Sequence, residues 1–478
     1  MTSFHKSVST AKKDQEEKKN AAVTKLEQFL LQRRGARQAV DALQKFEREL
    51  HSLFATAEAE VVGHEIERFD IDLPFVTLDG IVHQRVLRCE DTYFCASGPV
   101  QVMRSLYSTR KESERAICPM ELQAGLVEGR WTPHAAKQAT WVVSHLTPGE
   151  GEELYGMFGG LKPSKSSLDR LPKQLGQRWE RERIEFEDVL RAQERVPAEA
   201  VSMAVSLDGV MVPMKNGQRQ TKRAKAAEEG KYTRGPAGNK EVGCGTLSFY
   251  DEEGERLWTI RMARMPEVKK ATLKVMLSKE VNSCLAERPD LKIVKVADGA
   301  KDNWTYLSGE LPEGEEVIDF YHAAGHLDTA LAAAYGDTHP KRSAQFEKLR
   351  HVLVEDDNGV EKVIRSLVHL RDTNPRRKKI ARELKYFRRN RQRMRYAVLK
   401  KQGLPIGSGV TEAACKTLAT QRLKRSGMRW GEQGGQAILS FRALVQSNRF
   451  ERAWTLLAHT YKAEVTTFDN VVPIRSWQ

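Results

Sequence analysis

Hydrophobic and polar positions near the start of the chain follow a helical period. Residues 1–22 carry almost no large apolar side chain, which predicts a disordered tail. Apolar residues then recur three and four positions apart through residues 23–65, which predicts one or two amphipathic helices. Such helices either contact another subunit or pack on the chain's own domain, and the pattern leaves both uses open.

The hydrophobic period shortens to two in residues 66–120, where β-branched and aromatic residues flank Asp-Gly and Ser-Gly turns. This region predicts a small antiparallel sheet. Residues 121–198 return to helical spacing, with Thr-Pro pairs at two helix starts and a capping box of Thr147 and Glu150. Three short helices with a Gly turn before the last outline a helix-turn-helix, and an ordinary three-helix packing unit is the alternative. The residues that the last helix would carry to DNA are Lys165, Ser166, Ser167 and Arg170.

Five strand-like segments occupy residues 199–320, with a helix near residues 267–287 between the third and the fourth. Three hairpin-like strands, a helix and then strands separated by helices predict a mixed five-stranded sheet with helices packed on it, in the order of the ribonuclease H fold. Residues 222–239 are polar and predict a mobile loop.

The remaining segments complete this predicted α/β catalytic domain. Residues 404–460 return to it after an all-helical insertion at residues 321–403, and residues 461–478 are a C-terminal tail. The insertion is strongly basic, which indicates a track for the phosphate backbone or else a solvated helix face. The arginines that would form the track are Arg388, Arg389, Arg391 and Arg393.

Composition narrows the class of partner. The chain has 478 residues, 40% of them hydrophobic, and 78 Lys and Arg against 64 Asp and Glu give a net charge of +14. Such a charge favours polyanionic ligands. No apolar stretch approaches the roughly 18 residues that span a bilayer, and no signal peptide opens the sequence, so we expect a cytoplasmic protein without membrane contact. The six cysteines contain no C-x-x-C pair, so we expect small buried hydrophobes rather than a zinc site.

Three carboxylates are the candidate catalytic residues. Asp208 lies at the predicted end of the first strand and Asp298 at the end of the fourth, and these strands are neighbours in a ribonuclease H order. Adjacent carboxylates repel unless a cation neutralises them, and Mg²⁺ binds one or two carboxylates together with phosphate oxygens. Glu412, just after a Gly-Ser-Gly turn in a basic helix, is the candidate third ligand. It would otherwise complement the helix dipole, and each Asp-Gly would otherwise be a hairpin turn. Competing acids for the second or third position are Asp302, Glu316 and Asp319.

The runs SLDGV, VADGA, DFYHAAGHL and GSGVTEAACKTLATQRLKRSGMRW resemble bacterial insertion-sequence transposases of the DDE type, closest to the ISKra-type group. The resemblance covers roughly residues 85–460. It implies that Asp208, Asp298 and Glu412 form the catalytic triad, at spacings of 298 − 208 = 90 and 412 − 298 = 114 residues with a helical insertion in the second. It also implies a [C/D]-x-x-H signature at Asp319 to His322, where His322 either positions the scissile strand or caps the strand end.

The resemblance implies a bacterial, nucleoid-associated DNA transposase that binds its element's terminal inverted repeats and target DNA as a homo-oligomer, a dimer or higher. Strand cleavage and strand transfer would use two Mg²⁺ ions per active site, or Mn²⁺. Two alternatives are a catalytically idle DNA-binding regulator and a nuclease on the same fold without strand transfer. Trp430 would stack on a flipped base or pack in the core. The DNA contacts expected from the C-terminal block are Arg422, Lys424, Arg425, Arg429 and Trp430.

Overall fold

A computed structural model describes residues 24–31, 42–109, 116–230 and 238–467. The predicted tail at residues 1–22 lies outside these residues, as does the end of the chain after residue 467. The chain divides into two compact units, the first comprising the residues up to Leu175 and from Trp454 onward, and the second Gly176–Ala453.

A three-stranded antiparallel sheet with order β1-β2-β3 lies in the first unit. Its first hairpin turns at Asp79 and Gly80, which both have positive φ, as the Asp-Gly pair predicts. The helices α4 and α5 begin after Thr132 and Thr147, and Thr147 forms the predicted capping box with Glu150. The elements are α1 (24–31), α2 (Ala42–Glu67), β1 (Phe75–Leu78), β2 (Ile81–Cys95), β3 (Gly98–Ser108), α3 (Pro119–Ala124), α4 (Pro133–His145) and α5 (Pro148–Phe158).

The helix α6, Lys165–Gln193, passes from the first unit into the second. The pattern predicts a short helix and then a separate long one, but a single helix runs through Pro172. The proline lies within the first half of α6, and the helix continues because apolar residues such as Leu168, Leu171 and Leu175 keep one buried face across it.

A mixed five-stranded sheet forms the second unit, with strand order β6-β5-β4-β7-β8. The strand β4 pairs antiparallel with β5 and parallel with β7, while β5–β6 is antiparallel and β7–β8 parallel. This mixed sheet, predicted from the sequence, is compatible with a ribonuclease H-like fold. The strands are β4 (Ser202–Pro213), β5 (Asn239–Tyr250), β6 (Arg256–Arg264), β7 (Lys292–Ala297) and β8 (Glu315–Ile318).

Helices cover the sheet and share its core. Buried apolar residues of the strands and of the helices between residues 320 and 401 form one cluster, so the helical segment packs on the sheet. The predicted loop at residues 222–239 contains helix α7, and its residues 231–237 lie outside the described part. The helices are α7 (Gln220–Glu228), α8 (Ala271–Glu287), α9 (Lys301–Gly309), α10 (Phe320–Tyr335), α11 (Pro340–Glu355), α12 (Gly359–Thr373), α13 (Arg377–Asn390), α14 (Tyr396–Lys401), α15 (Gly409–Ala414), α16 (Gln421–Leu423), α17 (Glu432–Gln446) and α18 (Phe450–His459).

Among the described residues, no helix combines the length and the apolar character needed to cross a membrane.

Candidate active site and nucleic-acid interface

Asp208 and Asp298 lie on neighbouring parallel strands at the same level of the sheet. The β4–β7 ladder ends with Ser206 opposite Val296, and each aspartate lies two residues further along its strand. Asp298 directly follows the last residue of β7. The strand β4 does not end at Asp208, as the sequence suggests, but continues to Pro213 because it stays paired with β5 there.

The surroundings of Asp208 disfavour its ionised form. Burial raises the pKa of Asp208, the Gly209 amide that donates to its Oδ1 at 2.7 Å lowers it, and the charge of Asp298 raises it further. Lys270 and His322 lower the pKa by smaller amounts. The net shift is upward, so this edge of the sheet carries more negative charge than the chain neutralises.

Asp298 is held by the start of the helix that follows it. Its Oδ1 accepts hydrogen bonds from the Ala300 amide at 3.0 Å and from Asn303 Nδ2 at 3.2 Å, and its backbone carbonyl accepts one from Trp304 Nε1 at 2.5 Å. The carboxylate is half-buried. These bonds fix its position at the end of β7.

Glu412 lies on α15, which packs against β4 and β5, and its side chain is exposed. The preceding residue, Thr411, is buried, and its hydroxyl lies 2.5 Å from that of Thr246 on β5. One turn later Cys415 Sγ lies 3.9 Å from Asp208 Oδ2. The helix of Glu412 therefore contacts the strand of Asp208, and a π-helical segment at Cys415–Thr420 follows, a feature common near functional sites.

Asp319 joins the end of β8 to the turn before Glu412. Its Oδ1 caps α10 by accepting from the His322 amide at 2.7 Å, and its Oδ2 accepts from the Ser408 amide and from Ser408 Oγ at 2.7 Å. The Asp-x-x-His spacing thus has a local explanation, because a helix cap reaches the amide three residues on. The side chain of His322 itself is exposed.

The two other competing acids have partners of their own. Glu316 pairs with Arg393 at 2.6 Å, and Asp302 lies 3.4 Å from Lys274.

The carboxylates fit a divalent cation in part. Asp208 and Asp298 supply hard oxygen ligands at one edge, and the raised pKa of Asp208 shows that a cation there would relieve repulsion. Within the described part of the chain, however, no group of three or more His, Cys, Asp or Glu side chains is close enough to hold a metal ion. The pair is therefore the part of the predicted triad that the structure brings together.

Sequence reasoning missed Lys270. It immediately precedes α8, and both it and Lys269 have left-handed backbones, with φ of 55° and 53°. Its Nζ lies 3.2 Å from Glu241 Oε1, and the Glu241 carboxylate occupies the space where a Cβ on Gly209 would lie. Positive φ in two successive non-glycine residues is uncommon, and it cannot be read from the sequence.

The basic helix α13 presents most of its predicted track to solvent. Arg388, Arg389 and Arg391 are exposed. Arg393 is not free in the same way, because its guanidinium pairs with Glu316 and lies 4.1 Å from the centre of the Trp304 ring. This placement gives Arg393 a structural explanation that the sequence did not indicate.

In the C-terminal block, Arg422 is only 2% exposed, and its guanidinium lies 5.2 Å from the centre of the Trp430 ring. A DNA contact by Arg422 does not fit this placement. Trp430 is half-buried and donates from Nε1 to the Leu423 carbonyl at 2.9 Å, which favours its packing alternative over base stacking. Lys424 and Arg429 are exposed, and Arg425 is half-buried.

The helix-turn-helix-like residues lie at the start of α6. Lys165, Ser166 and Arg170 are exposed and Ser167 is half-buried. The Lys165 amide donates to Glu152 Oε1 at 2.9 Å, so this end of α6 is bonded to α5. The arrangement leaves the cationic side chains accessible, and DNA contact by them stays a prediction.

No family model matches the sequence, and no curated protein matches it. Four chains of solved structures do match. One is from a "Drosophila P element transposase strand transfer complex", with 12% sequence identity, a match over 68% of this chain and 80% of that chain, and a TM-score of 0.24. At that TM-score the likeness carries no argument about fold or function. Membership of the ISKra-type group stays a prediction from the sequence.

Proposed function

We propose that this protein is a DNA transposase whose catalytic domain has the ribonuclease H fold. The observation that carries the proposal is the placement of Asp208 and Asp298 side by side on neighbouring strands, at an edge where burial and like charge raise the pKa of Asp208. The strand order and the helices between β8 and α15 agree with a ribonuclease H domain that carries an all-helical insertion.

In this proposal Asp208 and Asp298 hold Mg²⁺ or Mn²⁺, with Glu412 as the third ligand of a two-ion site. When bound, the ions supply Lewis acidity to the attacking hydroxyl and to the leaving oxygen of a phosphodiester. Asn303 and the Ala300 amide orient the Asp298 carboxylate, and Asp319 holds the turn from which the helix of Glu412 begins. His322 lies close enough to lower the pKa of Asp208, which keeps that carboxylate more fully ionised.

The DNA partners in this proposal are the element's terminal inverted repeats and the target. The exposed arginines Arg388, Arg389 and Arg391 on α13 would bind phosphates, since a net charge of +14 favours a polyanion. Holding two ends together for strand transfer requires an oligomer. The first unit, with Lys165 and Arg170, would read the ends.

The second candidate is a DNA-binding regulator without catalysis. One observation favours it: Glu412 is exposed, and within the residues described here no three acidic, histidine or cysteine side chains form a metal-binding group.

Cleavage of DNA that flanks the protein's own gene separates these candidates. We expect purified protein with Mg²⁺ to nick the inverted-repeat boundaries on a denaturing gel and to form joined products. Asp298→Asn should bind the same DNA without cleaving it. Asp302→Asn is the matched control, because Asp302 lies on the adjacent helix and contacts Lys274 rather than the carboxylate pair.

Binding without cleavage by the wild type would favour the regulator, and cleavage without joined products would favour a nuclease. Loss of folding in Asp298→Asn would give Asp298 a structural role.

A further inference from the structure

A buried hydroxyl group lies beside the carboxylate edge without a partner. The ring of Tyr386, on α13, is half-buried, and its hydroxyl oxygen is inaccessible to solvent and has no hydrogen-bond partner among the described residues. A buried hydroxyl that makes no hydrogen bond is costly, and such groups in folded proteins ordinarily have a partner. The chain itself does not provide that partner.

The ring lies directly against the residue that follows Asp298. A Cβ on Gly299 would overlap the Tyr386 ring, and Cζ, the carbon that bears the hydroxyl, would lie 3.3 Å from it. The Asp-Gly pair at Asp298 is therefore no hairpin turn. It has a glycine because an aromatic ring from the helical segment covers this position.

The acids nearest to the hydroxyl are already engaged. Asp298 Oδ1 accepts two hydrogen bonds from its own helix start, and both oxygens of Asp319 accept hydrogen bonds from His322 and Ser408. Burial, with the charges of Asp298, Asp319 and Glu383, raises the pKa of Tyr386, so the phenol keeps its proton at neutral pH. The hydroxyl is thus a donor that lacks an acceptor.

The ring is held rigidly. It stacks on the imidazole of His326 with 3.7 Å between ring centres and 22° between planes, and His326 Nδ1 lies 2.6 Å from Glu383 Oε2. Glu383 is 2% exposed and also pairs with Arg382 at 2.7 Å. Such support fixes a donor before any ligand arrives, which is the condition under which a single hydrogen bond contributes most to catalysis.

We propose that the Tyr386 hydroxyl donates a hydrogen bond to a non-bridging phosphate oxygen of the nucleic-acid backbone bound at the Asp208–Asp298 edge. The inference rests on the proposed function and adds to it a catalytic residue from the helical segment. The basic helix α13 then does more than attract DNA, because it also supplies a contact at the reacting phosphate.

Tyr386→Phe removes one oxygen atom and tests the inference. We expect its unfolding midpoint in urea to equal or exceed that of the wild type, because an unpaired buried hydroxyl is lost. The Mg²⁺-dependent cleavage rate should fall about 10- to 100-fold, the range for loss of one preorganised donor. Tyr396→Phe is the matched control. Its hydroxyl donates to the Ile318 carbonyl at 2.9 Å, so it should lower the midpoint and leave the cleavage rate of folded protein unchanged.

A phosphate analogue identifies the acceptor. With a methylphosphonate at the mapped cleavage position, wild type and Tyr386→Phe should bind DNA equally, while on ordinary DNA the wild type binds more tightly. A Phe variant that cleaves like the wild type, or that loses stability as Tyr396→Phe does, overturns the inference.

If the wild type cleaves no DNA, the proposed function fails, and binding alone decides the inference. Weaker binding of ordinary DNA by Tyr386→Phe, by a factor of about five or more, supports the donor. Equal binding by the two proteins overturns it.

Discussion

Asp319 shows how one carboxylate can connect two parts of the candidate site. One oxygen caps α10, and the other binds the amide and hydroxyl of Ser408, so the end of β8 and the start of the Glu412 helix are tied together. Gly407 lies beside this contact, where a Cβ would meet the Tyr321 ring at 3.3 Å. The Gly-Ser-Gly turn therefore has a packing reason as well as a conformational one.

Replacing Asp319 should cost both stability and alignment. Asp319→Ala removes a helix cap and the buried acceptor of Ser408, and we expect the free energy of unfolding to fall by about 2–3 kcal/mol. Ser408→Ala removes only the hydroxyl bond and should cost about 1 kcal/mol. Urea titrations of both variants measure this, and equal losses would show that the cap, and not the link to Ser408, explains the burial of Asp319.

The raised pKa of Asp208 predicts a pH-dependent stability in metal-free buffer. Because the folded state binds the Asp208 proton more tightly than the unfolded chain does, this residue destabilises the protein as the pH rises through its folded pKa. In EDTA at pH 7, Asp208→Asn should therefore unfold at a higher urea concentration than the wild type. The difference should shrink as the pH falls through the acidic range.

Mg²⁺ provides the complementary measurement for Asp208. A cation that binds only the folded state stabilises it. Added Mg²⁺ should raise the unfolding midpoint of the wild type and not that of Asp208→Asn. An Asn variant that is less stable than the wild type in EDTA would show that the carboxylate is not under repulsion.

At the scale of elements, the exposed face of α13 predicts a salt-dependent contact. Replacing Arg388, Arg389 and Arg391 by Ala should weaken DNA binding and reduce the slope of log K against log salt by about 0.9 for each phosphate contact removed. Fluorescence anisotropy between low and moderate salt measures the slope.

Arg395→Ala is the control for this series. Arg395 is a neighbouring exposed arginine that pairs with Glu315 at 2.5 Å, so its loss should change the slope little. An unchanged slope in the triple variant would remove the track on α13.

The elements of the sheet could be predicted from the sequence because their signal is local. Alternating apolar residues mark all five strands, and the order of strands and helices places Asp208 near Asp298. The burial of Arg422 and the contact of Tyr386 with Gly299 could not be predicted in this way. Both depend on side chains from segments distant in the sequence, for which the pattern of one segment contains no information.

At the scale of the whole molecule, the division into two units predicts separable properties. The clusters around β1–β3 contain only residues of the first unit, and those around the five-stranded sheet contain only residues of the second. Each unit therefore has its own core, and a fragment spanning Gly176–Ala453 should unfold in a single cooperative transition. Circular dichroism at increasing urea concentrations measures this transition.

The same fragment tests where DNA sequence is read. It keeps the carboxylate pair and α13, so it should bind DNA with a steep salt dependence and cleave it in Mg²⁺. It lacks Lys165 and Arg170, the residues predicted to reach the element ends, and its affinity for inverted-repeat DNA should equal that for unrelated DNA of the same length. If the fragment retains a preference for the ends, sequence recognition belongs to the second unit, and the exposed Lys424 and Arg429 become the side chains to replace next.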